Sequence, residues 1–553
     1  MSTVLEGLMQ DWPLTLDRVL EHAARWHGAR EIVSREADGS LARSSYAAVH
    51  RRARQFSNAL RAGGIAPGER IATLAMNGAR HLEAWFGIFG IGAVCHTVNP
   101  RLFDEQLVYI INHAADRWLL ADAAFAPLVA RILPQCPCVE RVIWLGGEAP
   151  PLAVPVASGD YESLLAGHSA ECRWGGLDEQ AAAGLCYTSG TTGEPKGVLY
   201  SHRSNVLHAL YTAQADCFGF RASEVVLPVV PMFHANAWGI PFAAPLAGAK
   251  LVMPGARLDG ESLFELLETE GVTFSAAVPT VWQALLDFLT RERKRLTTLG
   301  RVLIGGAACP EALMRAFRDQ QGVEVVHAWG MTEMSPLGTT SRPNAAVAQL
   351  GQEAQLQYRL TQGRVPFGID MRIVDDAGAP QPHDGRASGH LQVRGGAILR
   401  RYYRASADAL DADGFFDTGD IASIDGEGYM RILDRAKDLV KSGGEWISSV
   451  ELEGLAAGHP AAMYAAVIAA RHRKWGERPL LIVKLRPGLT ATREEFLALL
   501  KGRVADWWLP DDVLIVEEMP LGATGKFDKK RLRALYGEHL IQSGAEAPQR
   551  LGR

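Results

Sequence analysis

The sequence predicts an α/β fold: a large N-terminal domain of parallel-rich sheets with helices plus a β-rich subdomain, followed by a small α+β C-terminal domain. Three observations carry this expectation. Apolar runs of strand length alternate with helical stretches up to Val326, short strands between Asp/Gly turns fill the region from Met371 to Arg394, and mixed helix and strand signals return beyond Asp434. At 553 residues the chain exceeds what one hydrophobic core serves, so more than one domain is expected.

In order along the chain, residues 71–76 read as a strand, 81–91 as a helix and 93–98 as the next strand, a βαβ unit implying parallel pairing. The Pro/Gly-rich stretch 146–159 is expected to be a surface loop. Residues 225–249 form the one long stretch without a formal charge, but they hold Pro228, Pro231, Pro241, Pro245, His234 and Asn236. That makes a poor membrane helix, and buried strands with a pocket wall are the better reading.

A second βαβ unit runs through 301–304, 310–318 and 323–326, with Pro310 suited to a first helical turn. Gly305, Gly306 and Ala307 follow one of its strands and residues 327–333 the other, so both are expected at the carboxyl ends where such sheets bind ligands. Strands at 371–374 and 391–394 build the β-rich subdomain. A boundary near Asp434 precedes a helix at 450–457, strands at 465–469 and 480–485, and a helix at 492–500. Residues 543–553 are expected to be a disordered tail.

Composition excludes several functions. A formal net charge of −5 without a long Lys/Arg run argues against a general nucleic-acid binder. The densest basic cluster, Arg291 to Arg295, reads as a solvated helix end. Seven cysteines, odd in number and without zinc or disulfide spacing, suggest reduced thiols in a cytoplasmic setting, with no catalytic role for any of them. Glu6, Asp11 and Asp17 lie where a signal peptide would need a basic start and an apolar core, so none is expected, and the final Leu-Gly-Arg is no known address.

The most polar, glycine-rich segment is 187–198, Tyr-Thr-Ser-Gly-Thr-Thr-Gly-Glu-Pro-Lys-Gly-Val. Glycines at 190, 193 and 197 let backbone N–H groups approach an anion, Thr188, Ser189, Thr191 and Thr192 add hydroxyl donors, and Lys196 adds a point charge. Apolar flanks at 184–186 and 197–199 predict two short strands joined by this phosphate-gripping loop. Pro195 before Lys196, and the lack of Gly-Lys-Ser/Thr, distinguish it from a Walker loop.

The loop resembles the signature of the adenylate-forming superfamily of acyl-CoA synthetases, luciferases and peptide-synthetase adenylation domains. Residues 328–333 (Ala-Trp-Gly-Met-Thr-Glu), 416–420 (Phe-Asp-Thr-Gly-Asp), 434–446 (Asp-Arg-Ala-Lys-Asp-Leu-Val-Lys-Ser-Gly-Gly-Glu-Trp) and 520–526 (Pro-Leu-Gly-Ala-Thr-Gly-Lys) resemble its remaining motifs in their usual order. Residues 442–446 and 475–479 look most like the medium/long-chain fatty acyl-CoA synthetase branch, which also holds ligases for short thioether acids. The resemblance implies an N-terminal domain over 1–433, a hinge at 434–437 with Lys437 as the hinge residue, and a lid over 438–542 that rotates about it.

It also implies a chemistry. A carboxylate is a poor acyl donor because its leaving group would be oxide, so ATP converts it into a mixed anhydride with AMP, and the site must supply positive charge where two anions meet. Lys526 resembles the lid lysine that bridges substrate carboxylate and α-phosphate; on its own it would read as a solvated lysine. Glu333, with Thr188 as companion, is the expected Mg²⁺ carboxylate. Trp329 offers a flat face to adenine, a Trp packed beneath the sheet being the competing reading. Asp420 resembles the ribose-hydroxyl acceptor, Arg435 a second nucleotide contact, and Gly306, Ala307, His327, Ala328, Gly330, Met331 and Thr332 complete the expected nucleotide surface.

Lys441, Gly443, Gly444 and Trp446 fall where a pantetheine arm would pass, which implies coenzyme A as acceptor. For the acid, His234 and Trp238, four apart, are expected to share one face of a helical turn, with Gly306 nearby. A hydrogen-bonded core histidine is the competing reading of His234. Apolar Met232, Phe233, Ile240 and Phe242, without an evident basic partner for a second carboxylate, favour a hydrophobic monocarboxylic acid. An acyl-AMP ligase feeding a separate carrier, a ligase for short thioether or aryl acids, and a silent binding protein are the alternatives. A homodimer is implied by resemblance alone.

Overall fold

The computed structural model describes residues 7–146, 150–152, 154–188, 194–436, 438–442, 445–521 and 527–542, with only the backbone of Glu445 and Trp446. The first strands are β1 (Glu31–Arg35), β2 (Leu41–Ser45), β3 (Arg70–Leu74), β4 (Val94–Thr97), β5 (Trp118–Ala121), β6 (Arg141–Trp144), β7 (Ala157–Asp160), β8 (Ala182–Tyr187) and β9 (Gly197–Ser201). Next come β10 (Val225–Pro228), β11 (Lys250–Met253), β12 (Phe274–Ala277), β13 (Arg301–Ile304), β14 (Glu324–Gly330) and β15 (Leu337–Thr340).

These strands make two mixed sheets, ordered β7-β6-β5-β3-β4-β8-β9 and β15-β14-β13-β12-β10-β11-β1-β2. Each is parallel inside and antiparallel where β9, β2 or β15 turns back. Strands β4, β5 and β12 are buried along their whole length, as expected of parallel strands covered on both faces. The helix Ala79–Phe89 is buried at every residue from His81 to Phe89. It belongs to a core that takes Ile71, Cys95, Trp118 and Ile143 from one sheet and Ile32, Val226, Leu251 and Leu303 from the other. A helix buried on all sides is mostly apolar, and its two buried polar side chains are partnered, Glu83 by Arg52 at 2.8 Å and His81 by Thr73 and Trp85.

Strands β16 (Ile369–Val374), β17 (Ser388–Gly395), β18 (Phe416–Ile424) and β19 (Met430–Arg435) form an antiparallel meander, the β-rich subdomain. Beyond it, β20 (Val440–Ser442), β21 (Glu445–Ile447), β22 (Ala462–His472), β23 (Gly476–Leu485) and β24 (Asp512–Ile515) make a small sheet with helices Ser449–Ala456, Arg493–Leu500 and Lys529–Tyr536. The capping side chains Ser448, Thr492 and Asp528 fix where these helices begin. The α/β class with an α+β C-terminal part is as the sequence predicts.

Two local expectations need correction. Pro310 stands outside the helix as its N-cap, with an extended ψ of 138°, and Glu311–Arg315 runs on into a π-helical turn over Ala316–Gln321. The strand expected at 323–326 continues to Gly330, so His327 to Gly330 are strand rather than loop. The cause is long-range: β15 pairs back on β14, with Ala328 opposite Thr340 and Trp329 opposite Thr339. No helix among the described residues is long and apolar enough to cross a membrane, and all seven cysteines are unpaired.

Candidate active site

Segments following the carboxyl ends of β8, β10, β13 and β14 carry the residues singled out by sequence, which is where parallel sheets leave their loops open to ligands. Strands β8 and β9 pair as expected, Tyr187 opposite Gly197, and Thr188 N–H donates to the Lys196 carbonyl at 2.9 Å. Ser189, Gly190, Thr191, Thr192 and Gly193 lie outside the described residues. The hairpin is anchored from both sides. The Tyr187 hydroxyl is hydrogen-bonded to His113 Nδ1 at 2.6 Å, and Tyr403 N–H donates to the Gly197 carbonyl at 2.8 Å.

At the end of β14 the chain turns through Met331 and the short helix Thr332–Met334, presenting Glu333, which is 7% exposed. Burial raises its pKa; the Tyr402 hydroxyl, donating to Oε1 at 2.8 Å, and the nearby cations Arg435 and Lys196 act in the opposite direction. The turn closes with Met331 N–H donating to the Pro336 carbonyl at 3.0 Å. It depends on Gly330, where a Cβ would sit 2.1 Å from the Pro336 carbonyl oxygen. Gly330→Ala is therefore expected to displace Glu333 and lower adenylate formation roughly 100-fold, as an ångström-scale misplacement does. Gly351→Ala, where an added methyl meets nothing within 4 Å, is the control expected to leave the rate unchanged. A pyrophosphate-release assay on both variants checks this.

Glu333 and Thr188 are hard oxygen donors. Among the described residues no group of three or more His, Cys, Asp or Glu could hold a metal by itself. One carboxylate with a hydroxyl, the remaining ligands coming from phosphate and water, is the kind of donor set Mg²⁺ accepts. The residues fit Mg²⁺.

Asp420 and Arg435 face each other across β18 and β19 and form an ion pair at 2.8 Å. The second Asp420 oxygen accepts from the Trp329 indole N–H at 3.1 Å. Trp329 is 8% exposed and its six-membered ring lies against Gly338, whose missing side chain makes the room. The competing reading of this residue, a packed tryptophan, describes its surroundings, and it orients Asp420. His327, expected on the nucleotide surface, is instead spent within the protein. Its Nε2 accepts from Cys309 N–H at 3.3 Å and its Nδ1 donates to the Leu360 carbonyl at 3.1 Å. Burial pushes its pKa down to about 4, so it is neutral and ties the loop after β13 to β14. Ala328 is buried in β14, while Gly306 and Ala307 are exposed and Met331 and Thr332 half-buried beside Glu333.

The acyl side differs from expectation in hand. Ala235, Asn236, Ala237, Trp238 and Gly239 all have positive φ, from 43° to 79°. The turn carrying Trp238 is thus left-handed, and His234, half-buried with an extended backbone, stands before it rather than on one face of a right-handed helix. Left-handed residues other than glycine cost roughly 1–2 kcal/mol each, so the surroundings must impose this turn. Asn77 holds the segment leading into it: its amide donates to the Pro228 and Val230 carbonyls at 2.8 and 2.9 Å, and its oxygen accepts from Met232 N–H at 2.7 Å. Underneath, a Cβ on Gly239 would lie 2.6 Å from the buried His208 ring, whose Nε2 accepts from Leu337 N–H at 2.9 Å. The Trp238 ring packs against Gly305, where an added Cβ would be 3.2 Å away, and near Gly306. Met232, Phe233, Ile240 and Phe242 are buried, Phe242 packing against Trp85, Phe86 and Phe89 of the helix Ala79–Phe89.

Asn77, His208 and Tyr402 were missed by sequence reading. Each acts on a segment far away in the chain, and nothing local distinguishes it. Lys526, Lys437, Gly443 and Gly444 lie outside the described residues. Lys441 is exposed on β20, and its backbone pairs with that of Trp446 on β21.

Two sheets with parallel cores thus carry Thr188 and Lys196 beyond β8, Trp238 beyond β10 and Glu333 beyond β14, the arrangement of an α/β enzyme whose site lies at the strand ends. Residues 19–403 match the AMP-binding enzyme model and residues 451–526 the AMP-binding enzyme C-terminal domain. The chain belongs to the AMP-binding enzyme family. It is 47% identical to a medium-chain-fatty-acid–CoA ligase of Ectopseudomonas oleovorans, covering 98% of this chain and 99% of the relative. It is 48% identical to a 3-methylmercaptopropionyl-CoA ligase of Ruegeria pomeroyi, over 97% and 99%. The crystal structure of the anthranilate CoA ligase AuaEII with anthranoyl-AMP shares the fold at a TM-score of 0.85 and 24% identity, over 97% of this chain and all of that one.

Proposed function

We propose that this protein is an AMP-forming acyl-CoA ligase that activates a hydrophobic monocarboxylic acid, foremost a medium- or long-chain fatty acid. The observation that supports the reading is that Glu333, beyond β14, feels the charge of Lys196 from the β8–β9 turn, while the buried Trp238 follows β10 of the same sheet as Glu333. Thr188 and Lys196 receive the phosphates, and Asp420, oriented by Trp329 and Arg435, receives the ribose hydroxyls. Glu333 and Thr188 hold Mg²⁺, which supplies charge neutralisation at the phosphates. Lys526 then bridges the acid and the α-phosphate as the anhydride forms. The lid turns about 434–437, with Lys437 as pivot, and Lys441, Gly443, Gly444 and Trp446 line the path of the coenzyme A thiol.

Mass spectrometry of a reaction of octanoate, MgATP and coenzyme A tests this: octanoyl-CoA with AMP and pyrophosphate is expected, and ADP with phosphate overturns it. A short thioether acid is the second reading, favoured by the 48% identity to the 3-methylmercaptopropionyl-CoA ligase. Trp238 bears on the choice, since its ring fills the space beside Gly305 and Gly306. Trp238→Ala is expected to move the preferred acid to longer chains, read as a shift in kcat/KM across even-numbered fatty acids; an unmoved optimum removes Trp238 from the pocket.

A cytoplasmic location and a homodimer go with this reading. The homodimer is supported by Leu8, Met9, Trp12 and Trp26, large apolar side chains left exposed around the first helix, Leu16–Trp26. Sedimentation equilibrium at the monomer mass would refute it.

A further inference from the structure

We propose that Tyr402 is a positioning residue for the cation-binding carboxylate, and that its ring at the same time supports the phosphate-loop lysine. The inference rests on the reading of Glu333 as the Mg²⁺ carboxylate. Residues 396–404 cross the site as a strap fastened to both of its halves. Leu399 N–H donates to the Glu333 carbonyl at 2.7 Å and Ser335 Oγ donates to the Ala397 carbonyl at 2.7 Å, which fixes the strap to the turn after β14. Tyr403 N–H donates to the Gly197 carbonyl at 2.8 Å, which fixes it to β9. Between these anchors stands Tyr402.

Its hydroxyl donates to Glu333 Oε1 at 2.8 Å, and Lys196 Nζ lies 5.0 Å from the centre of its ring. One side chain therefore touches the carboxylate meant for the cation and the ammonium meant for the phosphates. A carboxylate has room for about four hydrogen bonds or ligands, so the Tyr402 bond fixes its rotamer without using up its capacity for a metal. The ring face attracts the ammonium through its quadrupole, which restrains a long side chain that would otherwise sample many rotamers. A neutral hydroxyl suits this place: it orients the carboxylate without cancelling the charge a cation needs. An arginine or lysine there would compete with the metal.

Phenylalanine at this position keeps the ring and removes the hydroxyl, so the two roles separate. Calorimetric titration of ATP, with Mg²⁺ and with the metal chelated, is carried out on the wild type, Tyr402→Phe, Tyr402→Leu and Glu333→Gln. Tyr402→Phe is expected to lose roughly 10- to 100-fold of the affinity gained from Mg²⁺, the usual effect of removing a partner that orients a metal ligand, while metal-free ATP binding is unchanged. Tyr402→Leu is expected to weaken metal-free binding as well, since Lys196 loses its support. A Tyr402→Phe protein with the full Mg²⁺ gain, in an experiment where Glu333→Gln abolishes that gain, overturns the inference and leaves the cation reading standing. A full gain in Glu333→Gln overturns both.

Discussion

Lys526→Ala is expected to slow acyl-adenylate formation about 100- to 1,000-fold, the effect of removing one preorganised charge from where charge develops in the transition state. The argument is electrostatic. A carboxylate and a triphosphate repel each other, and a cation touching both stabilises the arrangement in which they react more than it stabilises either alone. The second half-reaction, attack of a thiolate on an anhydride already formed, makes no such demand. Acyl-CoA formation from supplied acyl-AMP should therefore continue near the wild-type rate in the same variant. Single-turnover measurement of the two half-reactions separates the outcomes, and equal loss in both would remove Lys526 from the first step.

Lys529→Met is expected to destabilise the C-terminal domain by roughly 3 kcal/mol, the lower end of what breaking a buried ion pair costs. The lysine side chain is 13% exposed and its ammonium lies 2.8 Å from Glu453, 15% exposed, and 2.5 Å from Ser449 Oγ. Ser449 N–H in turn donates to Asp434 Oδ2 at 2.7 Å, at the end of β19. Burial alone would lower the Lys529 pKa, but Glu453 and Asp434 outweigh it and the pKa is raised. Both carboxyls are themselves raised by burial. Without the ammonium they rise further, so their ionised forms become the cost of folding. A carboxyl whose folded pKa lies above its unfolded value favours the fold at low pH and loses that contribution as pH rises through the folded pKa. The stability deficit of Lys529→Met should therefore shrink as pH falls into the ordinary carboxylate range and be fullest at neutral pH. Thermal unfolding across pH checks this; a pH-independent deficit would point to lost packing alone.

Much of this protein was legible in its sequence because the relevant signals are local. The strands at β3, β4 and β13 and the helix at 79–89 follow from apolar runs and periodicity, and the β8–β9 hairpin from a polar, glycine-rich stretch between two apolar ones. Motif order singled out Glu333, Asp420 and Arg435, and the fold pairs Asp420 with Arg435 and brings the Arg435 charge to bear on Glu333. What was not legible depends on partners distant in the chain. The extension of β14 through His327 required β15, and the left-handed turn at Trp238 required Asn77 and the close approach of Gly239 to His208. Helical spacing alone cannot report the hand of a turn imposed from outside. His327 looked available because its sequence neighbours belong to a motif, whereas both its ring nitrogens are satisfied by the segments packed on either side. Tyr402 carried no local signal, since an aromatic in a polar loop is more often packing than machinery.

The central claim is tested most directly by pyrophosphate release from MgATP over carboxylic acids of increasing chain length, with aryl and thioether acids beside them, each with and without coenzyme A. The account predicts sustained turnover that requires coenzyme A and peaks among the hydrophobic monocarboxylic acids. Release that halts near one turnover whether or not coenzyme A is present would contradict it and identify an acyl-adenylate enzyme with another acceptor.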